Sequence, residues 1–195
     1  MGRNIYASQA VKSKVVMLFA LACSIFISSL AAKSYLKQEE FLDLVIKQQN
    51  SSYDLSSKKI WLKKNLQSKL KSILHHKYPK LRLRYELIET PSGRTTVWFL
   101  DEVGKEKAIS FGVSVKNDKI QVLRVLEFRE SRGYEIHIAA FSDQFNFIGL
   151  NQQNRLDRTI DGITGATLSV NAMKKVARVA IILHREVISQ LTTNN

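Results

Sequence analysis

The side chains most able to do chemistry are concentrated at residues 161–169, Asp161-Gly162-Ile163-Thr164-Gly165-Ala166-Thr167-Leu168-Ser169. Thr164, Thr167 and Ser169 bring three hydroxyls into six residues, with the carboxylate of Asp161 just ahead of them. Gly165 permits a backbone turn that a side chain would obstruct, and Ala166 is small enough for a ligand to lie close. An apolar pattern of helical period begins directly afterwards, so the hydroxyls stand beside the free N–H groups of a helix start. Such an end favours a phosphate. The stretch is not a Walker loop, since it lacks G-x-x-x-x-G-K-S/T, and it is not the glycine fingerprint of dinucleotide-binding folds. By residue type alone it reads either as a ligand site or as a tight turn followed by a Thr or Ser helix cap.

The flanking pattern indicates what holds this segment. Residues 169–191 carry Met173, Val176, Ala180, Ile181, Val187 and Ile188 on one helical face, predicting a long closing helix. Residues 81–89 alternate Leu81, Leu83, Tyr85 and Leu87 with Arg82, Arg84 and Glu86, which is the period of a strand. Residues 94–100, 107–116 and 119–127 read as further strands. Pro91-Ser92-Gly93 forms a turn, and Asn117-Asp118 forms a hairpin. Short amphipathic pieces follow at 134–140 and 142–147, and then a polar loop at 151–158. Upstream, residues 33–49 read as a helix with Leu36, Phe41, Leu44 and Val45 on one side. A second helix, capped by Ser56 or Ser57, is expected to run to about Lys77 ahead of Pro79. The sum is α+β, with helices packed on an antiparallel meander.

The first forty residues carry the address. Arg3, Lys12 and Lys14 precede an uncharged run of 18 residues, 15–32. As a helix it is about 27 Å long, at the short end of what spans a bilayer. Basic residues ahead of the run keep the amino terminus in the cytoplasm and put the rest outside. An uncleaved anchor and a signal cleaved after Ala31 or Ala32 both satisfy the pattern; Ala20-Leu21-Ala22-Cys23 makes a poor lipobox. The expected organisation is a cytoplasmic tail at 1–14, an N-terminal transmembrane anchor or signal at 15–32, a helical, basic membrane-proximal segment at 33–79, and a ligand-binding domain at 80–195.

Composition excludes several classes. The chain has 195 residues with 45% apolar and 24% charged residues, which is globular. One cysteine excludes an intramolecular disulfide framework and multi-cysteine metal sites. His75 and His76 are adjacent and do not share a helix face, and His137 and His184 are scattered, so no metal site is expected. No nucleophile-elbow motif is present, and no catalytic residue is assigned. The net charge is +13, and ten Lys and Arg fall in residues 55–85 without an acid. Apolar Leu62, Leu66, Leu70, Ile73 and Leu74 at helical spacing make those lysines the solvated face of an amphipathic helix, or a dock for anionic lipid or an acidic partner. An extracytoplasmic address argues against nucleic acid. Trp61 and Trp98 are expected in the core.

Asp161, Thr164, Gly165, Ala166, Thr167 and Ser169 resemble Asp-x-x-Thr/Ser-Gly-Ala-Thr-x-Ser, the flavinylation motif of FMN-binding domain proteins. That family includes the FMN-bearing subunits of sodium-pumping NADH:quinone reductase and of Rnf complexes, and smaller membrane-anchored flavoproteins. The resemblance implies FMN joined covalently to Thr167 by a phosphoester bond, installed from FAD by a separate Mg-dependent flavin transferase. Upstream, residues 111–129 resemble the family's paired strands, residues 128–136 its flavin-facing loop, and residues 141–145 its following block. In the ion-pumping complexes the loop reads Glu-Thr-Pro-Gly, whereas here Ser131-Arg132 stand in for Thr-Pro, which favours the smaller stand-alone flavoproteins. Thr164 stands where Ser is commoner.

By the same resemblance Glu130, Arg132, Gly133 and Tyr134 line the isoalloxazine. Arg132 would stabilise the negative charge of the reduced ring, and Tyr134 would stack on the ring or fill the core. The implied function is a membrane-anchored electron-transfer flavoprotein of the inner membrane, single-pass, with its C-terminal domain in the periplasm. It would be a redox carrier more than a free-standing enzyme, exchanging electrons with a membrane redox partner, a cytochrome or a reductase. The alternative, from a different class, is a non-flavin binding or assembly module that docks through its basic helix.

Overall fold

The computed structural model describes residues 32–193. Six antiparallel strands form one sheet in the order β1-β6-β5-β4-β3-β2. They are β1 (Lys33–Ser34), β2 (Asp54–Trp61), β3 (Arg82–Thr90), β4 (Gly93–Val103), β5 (Ala108–Lys116) and β6 (Lys119–Phe128). Helix α1 (Gln38–Lys47) follows β1, and α2 (Lys64–Leu74) joins β2 to β3. After β6 come a 3-10 turn (Tyr134–His137), the single turn α3 (Ala139–Ser142), a second 3-10 turn (Asp143–Phe145), a loop, and α4 (Thr167–Thr193).

The meander is the part that alternation predicts. Asn117 and Asp118 adopt φ of 52° and 60°, so the β5–β6 hairpin turns on two left-handed residues, which Asn and Asp tolerate. Leu87, Thr96 and Val115 are cross-strand neighbours, as are Tyr85, Trp98 and Val113, and all are buried. The first row lies under α4, which packs on β4, β5 and β6 with Met173, Val176, Ala180, Ile181, Leu183 and Val187 buried. Helix α2 adds Leu66, Leu70, Ile73 and Leu74 to the same core. On the opposite face, Phe41 and Val45 of α1 pack with Ile88, Val97, Val122 and Leu126.

Several expectations on the N-terminal half are corrected. The helix expected at 33–49 starts only at Gln38, because Lys33 and Ser34 pair with Phe128 and Glu127 of β6. Ser56 and Ser57 do not cap a helix. They lie within β2, which pairs along its length with β3, from Asp54 opposite Glu89 to Trp61 opposite Arg82. Lys63 takes the N-cap position of α2, with no side-chain capping bond, and the helix ends at Leu74 as His75 turns left-handed. The segment 33–79 is therefore helical only in part, and its basic run is spread over elements: Lys58 and Lys59 on β2, Lys64, Lys69 and Lys71 on α2, Arg82 and Arg84 on β3. Trp98 is fully buried, but Trp61 is 61 % exposed, with Arg82 over its ring at 5.3 Å. The anchor expected at 15–32 falls, apart from Ala32, outside the described residues. Among those described, no helix is long and apolar enough to cross a membrane.

A buried polar chain ties α4 to the sheet. Trp98 Nε1–H donates to Thr96 Oγ1 at 2.9 Å, and Thr96 Oγ1 lies 2.8 Å from His184 Nδ1. The hydroxyl, already accepting from Trp98, has its own proton to give to a neutral imidazole. His184 is only 2 % exposed. Burial, with help from the charge of Arg185, pushes its pKa down to about 4; Asp118 pulls the other way without compensating. Unfolded, the ring takes a proton near its ordinary value of 6.5, whereas in the folded chain it does so only near pH 4. The stability gained by keeping it neutral is therefore complete above the unfolded pKa and is lost as pH falls towards the folded one, about 3 kcal/mol in all. Denaturant melts at about pH 7 and about pH 4.5 should show a larger acid loss in the wild type than in His184→Gln. Equal losses would contradict this origin.

Candidate functional site

Two segments brought together from separate parts of the chain make the site: the loop that leaves β6 and the turn that starts α4. Ala166 N–H donates to Ile163 O at 3.0 Å, closing a turn over Thr164 and Gly165, and Val170 N–H donates to Ala166 O at 3.0 Å as the first helical bond. Gly165 sits at φ +81°, where a side chain would be strained, yet a Cβ there would meet nothing within 4 Å. The turn thus requires glycine for its backbone and not for space. Ala166 occupies the cap position and has no side chain to fold back on the helix. The N–H groups of Thr167, Leu168 and Ser169 lack intrahelical acceptors by position, and no other group among the described residues takes them. The helix begins at Thr167, two residues earlier than the apolar period indicates.

Gly133 fixes the other wall. Its φ is +87°, and a Cβ there would lie 2.4 Å from Ser169 Oγ and 3.4 Å from Ala166 Cα. Here glycine is needed twice, for the backbone and for the close approach to the first turn of α4. This contact brings Ser131 and Arg132 beside the motif. Between the two segments opens a cavity of about 560 Å³ lined by Lys105, Glu130, Arg132 and residues 165–169. The volume suits a ligand of cofactor size.

The residues singled out in the sequence separate here. Gly165, Ala166, Thr167, Ser169, Glu130 and Arg132 line the cavity, and Gly133 packs behind it. Thr167 is exposed; Ser169 is 4 % exposed, under Gly133. Arg132 is exposed and makes no ion pair among the described residues. Asp161 and Thr164 are exposed in the turn and do not line the cavity; Asp161 N–H donates to Gln144 Oε1 at 2.9 Å. Tyr134 also lies outside the lining. It is 46 % exposed, so it does not fill the core. Lys33 Nζ lies 5.3 Å from its ring centre, and the ring of His137 lies 6.1 Å away.

Glu130 has a structural task beyond the expected one. Its Oε1 accepts N–H bonds from Lys105, Glu106 and Lys107 at 2.6, 2.7 and 2.9 Å, so it ties the β4–β5 turn to the loop. Burial pushes its pKa up, but those three donors and the charge of Lys105 outweigh it and hold the carboxyl below its ordinary value. Lys105, Ser131 and Leu168 are lining residues that sequence reasoning did not single out. Lys105 comes in from a turn 62 residues away from Thr167 in the chain, so no local spacing could reveal it. Leu168 could have been noticed, as an apolar residue left on the polar side of the helix start; it is 49 % exposed. Among the described residues no cluster of His, Cys, Asp or Glu is arranged to hold a metal.

With this geometry in hand, comparison with known proteins is specific. Residues 104–182 match the family model described as the FMN-binding domain. Every residue that lines the cavity falls inside that segment, which opens at Gly104 after β4 and closes within α4. No curated protein matches the chain, and no solved structure matches it.

The two glycines should respond differently to a methyl group. Gly133→Ala meets both strain and collision and is expected to cost about 1–3 kcal/mol. Gly165→Ala meets backbone strain alone, about 1 kcal/mol. Urea melts of both variants check this; equal losses would show that the approach of Gly133 to Ser169 is not tight.

Proposed function

We propose that the chain, whose residues 104–182 match the FMN-binding domain family model, is an electron-transfer flavoprotein carrying FMN on Thr167 through a phosphoester bond. The observation that carries this reading is the first turn of α4. Three N–H groups without acceptors among the described residues share the first turn of α4 with an exposed threonine that lines a cavity of about 560 Å³. A phosphate esterified to that hydroxyl is accommodated by helix N–H donors and by the positive end of the helix dipole. Lys105 and Arg132 add positive charge from the opposite wall, and Leu168 offers an apolar surface for a ring. FMN, when attached, supplies a reversible store for electrons; the ester keeps it from leaving when its charge changes. Arg132, which has no carboxylate partner among the described residues, favours the added negative charge of the reduced ring. In our reading a separate flavin transferase would form the ester from FAD: the Thr167 oxygen displaces AMP from the pyrophosphate and gives up its proton, with Asp161 and Thr164 serving as recognition elements in the exposed turn.

We assign the chain to the inner membrane, single-pass through residues 15–32, with the domain in the periplasm. Lys33 pairs with the end of β6 and sets its ammonium over Tyr134 in the loop after that strand. A membrane redox partner, a cytochrome or a reductase would then exchange electrons with the flavin directly.

Co-expression with a flavin transferase, followed by denaturation and gel filtration, tests the ester. The wild type should stay yellow in denaturant, Thr167→Ala should be colourless, and Thr167→Ser should retain part of the flavin because it keeps the oxygen. A wild type that sheds its flavin in denaturant would contradict the covalent bond. One that never acquires flavin, beside a transferase active on another substrate, would return the chain to the class of binding modules.

A further inference from the structure

A second cleft lies on the far side of the 155–166 loop, between that loop, the middle of α4 and the end of α2. Its volume is about 430 Å³, within the range of small-molecule sites. Arg155, Arg158, Lys174, Lys175 and Arg178 line it, and no carboxylate does. Lys175 is paired, with Glu102 Oε1 at 2.9 Å. The other four cations have no acidic partner among the described residues, whereas Arg94, Arg124, Arg129 and Arg185 elsewhere in the domain each have one.

Three of the four, all but Arg155, are held by backbone carbonyls. Arg178 Nε donates to Asn154 O at 2.7 Å, and Lys174 Nζ donates to Ile160 O at 3.1 Å. Arg158 NH2 donates to Asn146 O at 3.3 Å. Carbonyls orient a cation without neutralising it, so the remaining guanidinium N–H groups of Arg178 stay available in a fixed fork, the geometry suited to phosphate and carboxylate. Burial and the nearby charge of Arg155 press the pKa of Arg178 below the ordinary arginine value. With no carboxylate in the lining, these cations leave the cleft with positive charge that an anionic ligand would offset. Ile73, Leu156 and Ile160 give the cleft an apolar wall.

We propose that this cleft is a binding site for a dissolved small polyanion, bearing two or more phosphate or carboxylate groups on a partly apolar frame. Cations from two elements, residues 155–158 and α4, line one cleft of about 430 Å³, a size that suits a compact dissolved ligand better than an extended headgroup layer. Asn171, on its edge, is one helical turn from Thr167, so the bound anion would lie next to the flavin mouth. The proposal stands independently of the flavin.

Calorimetric titration of pyrophosphate and of citrate into the full-length protein expressed without a flavin transferase tests it, and is readable whatever becomes of the flavin assignment. Saturable binding of at least one probe is expected, weakening with added salt. It should weaken about tenfold in Arg155→Gln and less in Arg178→Lys, which keeps the charge and loses the fork. Arg155 is exposed, so its replacement should leave the melting temperature unchanged. No saturable binding, equal affinity in Arg155→Gln, or capture by phosphatidylglycerol vesicles alone would overturn the proposal.

Discussion

The approach of Gly133 to Ser169 is the contact on which the site depends. It sets the loop after β6 against the first turn of α4 so closely that a Cβ at 133 would lie 2.4 Å from Ser169 Oγ. Everything the cavity offers follows from that contact. Arg132 and Glu130 reach the motif because they precede Gly133 in a loop that has nowhere else to go. Lys105 arrives through Glu130, whose carboxylate gathers the three N–H groups of the β4–β5 turn. Two walls from distant parts of the chain are thereby joined by the approach of Gly133 to Ser169 and Ala166 and by one carboxylate oxygen of Glu130.

The precision of that contact rests on α4 as a rigid body. A helix start on its own is a frayed end with unsatisfied donors. Here it belongs to a 27-residue helix whose inner face is buried along most of its length. Each fully buried aliphatic side chain contributes about 1.5–3 kcal/mol, so the helix as a whole is held far more firmly than its first turn could hold itself. The Trp98–Thr96–His184 chain adds a polar lock on the same helix, and Arg185 reaches Asp118 in the β5–β6 hairpin at 3.0 Å. The open N–H groups are thus a local lack of satisfaction on a well-anchored element, which is the arrangement a bound anion can exploit.

How much of this is legible in the sequence differs by segment for physical reasons. Strands β3 to β6 are visible because each buries alternate residues on a covered sheet, and the Asn117-Asp118 pair announces its own turn. β2 is not, because it is an edge strand, rich in Ser and Lys, with Ile60 its only buried residue. Its pairing with β3 is a long-range choice that local polarity conceals. The same edge position leaves Trp61 in solvent while Trp98, on a central strand, is enclosed. The motif at 161–169 is readable because its chemistry and its turn are local. Its walls are not, since Lys105 and Gly133 reach it only through the fold. Tyr134 illustrates the limit: adjacent to Gly133 in sequence, it leans towards Lys33 and away from the cavity.

On the proposed reading, the first turn of α4 offers one oxygen, that of Thr167, to a flavin phosphate. Trypsin should release residues 159–174 as one peptide, which holds Thr159, Thr164, Thr167 and Ser169. Fragmentation of that peptide from flavin-loaded protein identifies the oxygen that bears FMN. The whole added mass, one FMN less one water, is expected on fragments that contain Thr167 and on none that end before it. The same mass on Thr164 or Ser169, or an unmodified peptide from yellow protein, would contradict it.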